Sequence, residues 1–308
     1  MGKLTGSKLG DMPPILAAAD IGSNTVHLLV AEVTGRKLRR IINESEWLSL
    51  GERVSLDGCF SPKLIESLLT TLRKYKKMAQ AAMAGDLTVF ATEAMRRAAN
   101  HDEVIAIIRQ ELGLNVELIS GPREAALSFQ GVQLDVARET PYLLTEVGGG
   151  SAQFAQVSRS EIAHSLSLPI GTGKLIASFG VTPNCERERV VAAKQYLRDQ
   201  LRPAPSVFAG PELIASGGVA RGIIRSLHPD GSPLIAGYEV EYMIETASRL
   251  TSLELTKRFL VKRKRAESLL AGSLVYQAIL ERFGMPQMLV SEFGVREGAI
   301  LELAGVKL

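Results

Sequence analysis

One pattern occurs twice in this chain, and it limits the folds open to it. Asp20-Ile21-Gly22-Ser23-Asn24-Thr25 and Glu146-Val147-Gly148-Gly149-Gly150-Ser151 each place an acid at the end of an apolar strand. Each then runs through a β-branched residue, a glycine, two small or polar residues and a hydroxyl, and enters a second apolar strand. The two acids are 146 − 20 = 126 residues apart. A hairpin duplicated at that spacing predicts two similar lobes. A small-residue turn of this kind leaves backbone N–H groups aimed at open space, where they bind anionic oxygens. The acid at the strand end is placed to hold a cation, or a water on that cation. Two such turns facing each other across a cleft would clamp one phosphate chain from both sides. A single glycine-rich turn would be weak support for this reading; the duplication is what carries it.

Between and after the hairpins, strands alternate with helices. Short apolar runs predict strands over 15–20, 26–33, 36–42, 87–91, 116–119, 142–147, 152–157, 162–168, 213–215 and 287–291. Leu64, Leu68, Leu72, Tyr75 and Ala79 recur every three or four residues, which predicts an amphipathic helix over 63–84, closed by Gly85. Further helices are expected over 102–112, 174–179, 186–201, 240–250, 266–283 and 296–303, with others opening at Thr92, Ser120 and Ser216. Meandering strands followed by crossover helices, met twice, give an α/β chain of two lobes. A length of 308 residues agrees with two domains. The expected division is a tail over 1–14, one domain over 15–125 and a second over 126–308, the C-terminal helix being free to pack back on the first.

Composition excludes several classes. Hydrophobic residues at 46% and charged residues at 22% rule out a disordered or disulfide-stapled chain. The formal charge is 36 − 33 = +3, too small for a polyanion-coating protein. Cys59 and Cys185 lack CxxC spacing, so no cysteine zinc site is expected and a reducing, cytoplasmic setting is. No apolar run reaches the roughly 18 residues of a membrane helix, so no membrane partner is expected. Aromatic residues make up only 5%, and none stands in a stacking array among the basic runs 36–40, 73–77 and 262–265, so specific nucleic-acid binding is not expected either. Those runs read as solvated faces, one of which could line a path for a long polyanion. His27 lies in the first hairpin without metal-ligand spacing and reads as a packed residue.

Seven segments carry a family resemblance: Ala19–Val30, Ala91–Ala98, Ile119–Ala125, Gly148–Ser151, Leu168–Gly171, Arg265–Glu267 and Ser291–Gly298. In order and spacing they resemble the exopolyphosphatase / guanosine pentaphosphate phosphatase (Ppx/GppA) family, in its short two-domain form, from about residue 17 onward. The resemblance implies an actin-like, sugar-kinase-like (ribonuclease H-like) fold with the active site in the interlobe cleft. It implies that Glu124, the acid of Gly-x-x-Glu-Ala, is catalytic. A carboxylate that positions water and takes its proton is what phosphoanhydride hydrolysis needs. The bare alternative is an acid that favours a helix N-terminus. Phosphate contacts are expected from Gly22, Ser23, Asn24, Thr25, Arg96, Gly148, Gly149, Gly150 and Ser151. Asp20 and Glu146 are expected to hold Mg²⁺ or Mn²⁺. The loop at Ser216-Gly217-Gly218 reads either as a tight turn or as part of the cleft wall.

The activity so implied is metal-dependent release of orthophosphate from the end of inorganic polyphosphate. A guanosine pentaphosphate phosphatase is the alternative, with guanosine alarmones as partners. Two departures open a third reading. The family usually shows aspartate where Glu146 stands, and a glutamate where this chain has Gln153. A glutamine is no base and a poor cation ligand, so a weakly active protein that binds polyphosphate or alarmones also fits. A kinase of the same fold is disfavoured by the glutamate motif. Homodimers are common for such folds, and no residue here decides for or against one.

Overall fold

The computed structural model describes residues 13–208 and 210–306. Most of the expected tail therefore lies outside the described residues. The first sheet contains β1 (Ile15–Ile21), β2 (Thr25–Thr34), β3 (Lys37–Trp47), β4 (Leu87–Ala91) and β5 (Val116–Leu118), in the order β3-β2-β1-β4-β5. Its first three strands are antiparallel, while β1, β4 and β5 run parallel. The second sheet contains β6 (Tyr142–Val147), β7 (Ala152–Ser158), β8 (Glu161–Leu168), β9 (Leu213–Ser216), β10 (Leu234–Ala236) and β11 (Gln287–Val290). Its order, β8-β7-β6-β9-β11-β10, repeats the first with one antiparallel strand added at the edge. This is the ribonuclease H-like arrangement of actin-like proteins, present twice.

The repeat extends to register. Asp20 pairs with His27 across the first hairpin, and Glu146 pairs with Gln153 across the second. Gly22 N donates to Thr25 O at 3.1 Å, and Gly148 N donates to Ser151 O at 2.8 Å.

In the first lobe the helices are α1 (Leu50–Asp57), α2 (Pro62–Ala81), α3 (Glu93–Arg97) and α4 (His101–Leu112). Helix α2 starts at Ser61, whose hydroxyl accepts from Leu64 N, with Pro62 in the first turn. Leu68 and Leu72 are fully buried against the sheet. Burial of each stabilises by about 1.5–3 kcal/mol, so truncating either would break this packing. The helix stops before Gly85, because Met83 already takes a left-handed conformation (φ 57°) and turns the chain toward β4. Helix α1 has no counterpart in the sequence expectations: only Leu50 and Val54 repeat on its inner face, too few to show a period.

Helix α5 (Gly121–Val132) leaves the first sheet and packs on the second, where Ala125, Val132 and Val136 meet Tyr142, Leu144, Ala155 and Ile214. The second lobe adds α6 (Thr172–Phe179), α7 (Arg187–Leu201), α8 (Gly217–Leu227), α9 (Gly237–Arg249), α10 (Ser252–Phe259) and α11 (Arg263–Phe283) around its sheet. The last helix, α12 (Val295–Leu303), leaves the second sheet and packs on the first, against Ala18, Leu29, Ala31 and Phe90. The two exchanged helices cross between the lobes. A Cβ on Gly131 would overlap the Gly294 carbonyl, and one on Gly298 would overlap the Leu127 carbonyl. Only glycine permits an approach this close.

Among the described residues no helix is long and apolar enough to cross a membrane.

Candidate active site in the interlobe cleft

The two hairpin turns face each other. Their carbonyls are drawn outward by the segments that follow. Gly51 N donates to Ser23 O (2.7 Å), while Leu48 N and Ser49 N donate to Asn24 O (3.0 and 2.9 Å). In the second lobe Thr172, Lys174 and Gly171 donate to the carbonyls of Gly148, Gly149 and Gly150. With the carbonyls of Ser23, Asn24 and Gly148 to Gly150 engaged on the outer side, and Gly22 N and Gly148 N closing the turns, the remaining turn amides suit an anion-binding geometry. The unforeseen α1 is therefore part of the site, since its start fixes the first turn.

The lobes meet at these turns. Asn24 Nδ2 donates to Thr172 Oγ1 at 3.3 Å. A Cβ on Gly149 would stand 2.5 Å from Asn24 Cγ. Ser23 Oγ donates to Glu93 Oε2 at 2.8 Å, and the same carboxylate faces Gly150. Behind this seam lies a narrow cavity of about 120 Å³. Asp20, His27, Trp47, Thr92, Glu124, Glu146, Gly218, Arg265 and both turns line it.

Three carboxylates converge there from three elements. Asp20 ends β1, Glu146 lies near the end of β6, and Glu124 enters from the first turn of α5. Ser120 caps that helix by accepting from Arg123 N at 3.3 Å, and Pro122 stands in its first turn. Burial, then Asp20 and Glu146, push the Glu124 carboxyl up to about 8, with Arg96 opposing. Burial likewise pushes Asp20 up to about 7; Arg296 opposes and Glu146 adds to it. Asp20 Oδ1 and Glu124 Oε2 are buried without a hydrogen-bond partner. Such oxygens are costly unless something binds them.

The remaining expected residues fall into place differently. Arg96 does not line the cavity. Its Nη1 donates to Ile119 O at 2.5 Å and stands 3.7 Å from Glu124 Oε2, an ion-pair distance. It supports the loop ahead of Glu124. Gln153 is buried, its amide donating to Ser151 Oγ (2.8 Å) and Ser167 Oγ (3.3 Å) while its Oε1 has no partner. Burial, then Arg296, Arg221 and Arg265, hold the His27 imidazole far below its ordinary value, so it is neutral at pH 7.

Of the basic runs, only 262–265 reaches the cavity, through Arg265. Arg39 pairs with Glu32, Arg40 with Glu297, and Lys74 with Glu46. Arg265 donates to Gly218 O at 2.6 Å. Burial, then Arg221 and Arg225, bring it down to about 10, so it remains cationic at neutral pH. Its sequence neighbours hid this, since a basic run looks solvated.

Residues 29–306 match the model of the Ppx/GppA phosphatase family. The chain belongs to this family. Members are hydrolases, and six of the seven segments noted in the sequence contribute residues to the cavity lining or the helix crossing, while Gly171 of the remaining one donates to the Gly150 carbonyl. Exopolyphosphatase 1 of Mycobacterium tuberculosis is 28% identical over 301 residues, covering 93% of this chain and 87% of that protein. Exopolyphosphatase 2 of the same organism is 26% identical over 316 residues, covering 94% and 98%. The crystal structure of the Aquifex aeolicus Ppx/GppA family member is 27% identical, with a TM-score of 0.79 over 95% of this chain and 98% of that one.

Proposed function

We propose that this Ppx/GppA protein is an exopolyphosphatase, which hydrolyses the terminal phosphoanhydride of inorganic polyphosphate. One observation carries the reading: a Glu124 oxygen that accepts no hydrogen bond lies in a cleft flanked by the two glycine turns. A terminal phosphate would be held by the turns at Gly22–Thr25 and Gly148–Ser151. Glu124 would orient a water and accept its proton as the water oxygen attacks phosphorus. The bridging P–O bond breaks, and the shortened chain departs with its negative charge. Arg265 supplies a cation on the cleft wall for that charge.

The residues present fit a hard divalent cation. Asp20 Oδ1 is a buried carboxylate oxygen with no partner, and oxygen donors suit Mg²⁺ or Mn²⁺. Among the described residues no cluster of three His, Cys, Asp or Glu side chains forms a closed metal site. Asp20 would therefore hold the ion together with water and substrate oxygens. Bound there, it would neutralise phosphate charge.

The test is orthophosphate release from long-chain polyphosphate, with and without Mg²⁺, for wild type and Glu124→Ala. Metal-dependent release lost in the variant supports the proposal. Release from guanosine pentaphosphate but not polyphosphate would replace it with the nucleotide reading. Binding of either without release would make the protein a sensor, the reading favoured by the neutral Gln153.

A further inference from the structure

Glu146 lines the cleft, yet one of its oxygens is already engaged. Ser128 Oγ donates to Glu146 Oε2 at 2.6 Å, and Ser216 Oγ donates to the same atom at 2.8 Å. The two hydroxyls stand 2.8 Å apart. Three elements meet at that oxygen: β6 through Glu146, α5 through Ser128, and the end of β9 through Ser216. Ser128 and Ser216 are buried, so water does not compete for the contact.

Ser128 stands four residues after Glu124 on α5, one turn along the same face. The orientation of Glu124 thus depends on how α5 is rotated about its axis. The crossing with α12 brings backbone against glycine, and Leu127 packs there among Val295, Ala299, Ile300 and Leu301, apolar contacts that carry no directional hydrogen bond. On the outer side, Arg123 pairs with Glu302 where both are exposed, a weak restraint. The Glu146 contact is the buried polar one.

The geometry assigns Glu146, with Ser128 and Ser216, a positioning role: the carboxylate clasps α5 to the second sheet and sets the angle at which Glu124 enters the cleft. This inference rests on Glu124 being the hydrolytic base. Reach is part of it, because an aspartate at 146 would end one methylene short of Ser128. Charge is not, because a glutamine oxygen accepts from the same two hydroxyls.

The experiment compares Glu146→Asp, Glu146→Gln, Ser128→Ala and Ser128→Thr in the full chain. Three quantities are followed: kcat and KM for phosphate release, Mn²⁺ binding by electron paramagnetic resonance, and hydrogen exchange over residues 121–132. A clasp predicts that Ser128→Ala and Glu146→Asp lower kcat by about 10–100-fold at unchanged KM. Both should speed exchange in α5 without weakening Mn²⁺ binding. Ser128→Thr should recover most of the loss, and Glu146→Gln should be less damaging than Glu146→Asp. The reverse order, with Glu146→Gln abolishing Mn²⁺ binding and α5 exchange untouched, makes Glu146 a metal ligand and overturns the clasp. Unchanged α5 exchange in Ser128→Ala overturns it too. Should the wild type release no phosphate, the hydrolase reading fails by itself. Exchange and Mn²⁺ binding then still decide the clasp.

Discussion

The backbone of Gly150 in the second lobe lies against the Glu93 carboxylate of the first. A Cβ at Gly150 would overlap Glu93 Oε2 and stand 2.7 Å from Ser23 Oγ. The two phosphate turns therefore come together only because this position has no side chain. Gly150→Ala should prop the lobes apart, lowering phosphate release by about 10–100-fold. Small-angle scattering should show a larger radius of gyration. A variant as compact and active as wild type would show that the seam gives way easily.

The Glu124 carboxyl, as the proposed base, works only when ionised, and it is pushed up to about 8 beside Asp20 at about 7. The rate at fixed substrate should therefore rise with pH through the range from about 7 to 8 and level above it, far from the ordinary carboxylate range. The two groups interact, so the limb belongs to the pair. Divalent cation near Asp20 favours the ionised forms and should move the limb to lower pH. A rate–pH profile at two Mg²⁺ concentrations tests both statements.

The same shift makes a stability prediction. The folded state binds the Glu124 proton more tightly than the unfolded chain, whose value is near 4.5. Stability is thus lost as pH rises from the unfolded value toward the folded one. Glu124→Gln removes this loss. It should melt at a higher temperature than wild type at pH 8, by a margin that shrinks toward pH 4, while releasing no phosphate. Differential scanning calorimetry at the two pH values would show it.

Glu297 is 1% exposed and pairs with Arg40 at 2.8 Å. Burial opposes its charge, but Arg296, Arg221 and Arg40 together outweigh burial and hold it below the ordinary carboxylate range. Arg40→Ala should cost about 1.5–3 kcal/mol in urea unfolding at pH 7. The stabilisation is present above the unfolded value and lost as pH falls through the folded one. The difference between variant and wild type should therefore fade in acid.

Gln153 lies across the strand pair from Glu146, with an unpartnered Oε1. Ser151 and Ser167 now accept from its amide, and both hydroxyls can turn to donate instead. Gln153→Glu should therefore fold, add an acid across the strand pair from Glu146 and tighten Mn²⁺ binding. Calorimetric titration of both proteins measures this. Equal affinities would mean that the side chain at 153 stays turned toward the serines.

Much of this was legible before any coordinates. The acid–x–Gly turns and the strands around them are local patterns, and backbone sterics with hydrophobic periodicity express them directly; Glu124 stood out only through the family resemblance. The amphipathic stripe of α2 was visible for the same reason. Helix α1 was not, because two buried apolar side chains, Leu50 and Val54, carry no period. The bond from Arg96 to the Ile119 carbonyl was not legible either, because a basic residue in the motif looks the same whether or not it braces a loop.

By itself, the sequence determined that the chain forms two alike α/β lobes, each presenting an acid beside a small-residue turn. That followed from local residue chemistry repeated at a set interval. Only the tertiary structure decided which oxygens stay unpartnered, that Glu146 reaches Ser128 and Ser216, and that Arg265 joins the cleft while Arg96 does not. It also decided that α5 and α12 trade lobes at a glycine crossing. Each of these depends on side chains brought together from distant parts of the chain. Burial and neighbouring charge then set what each group can do.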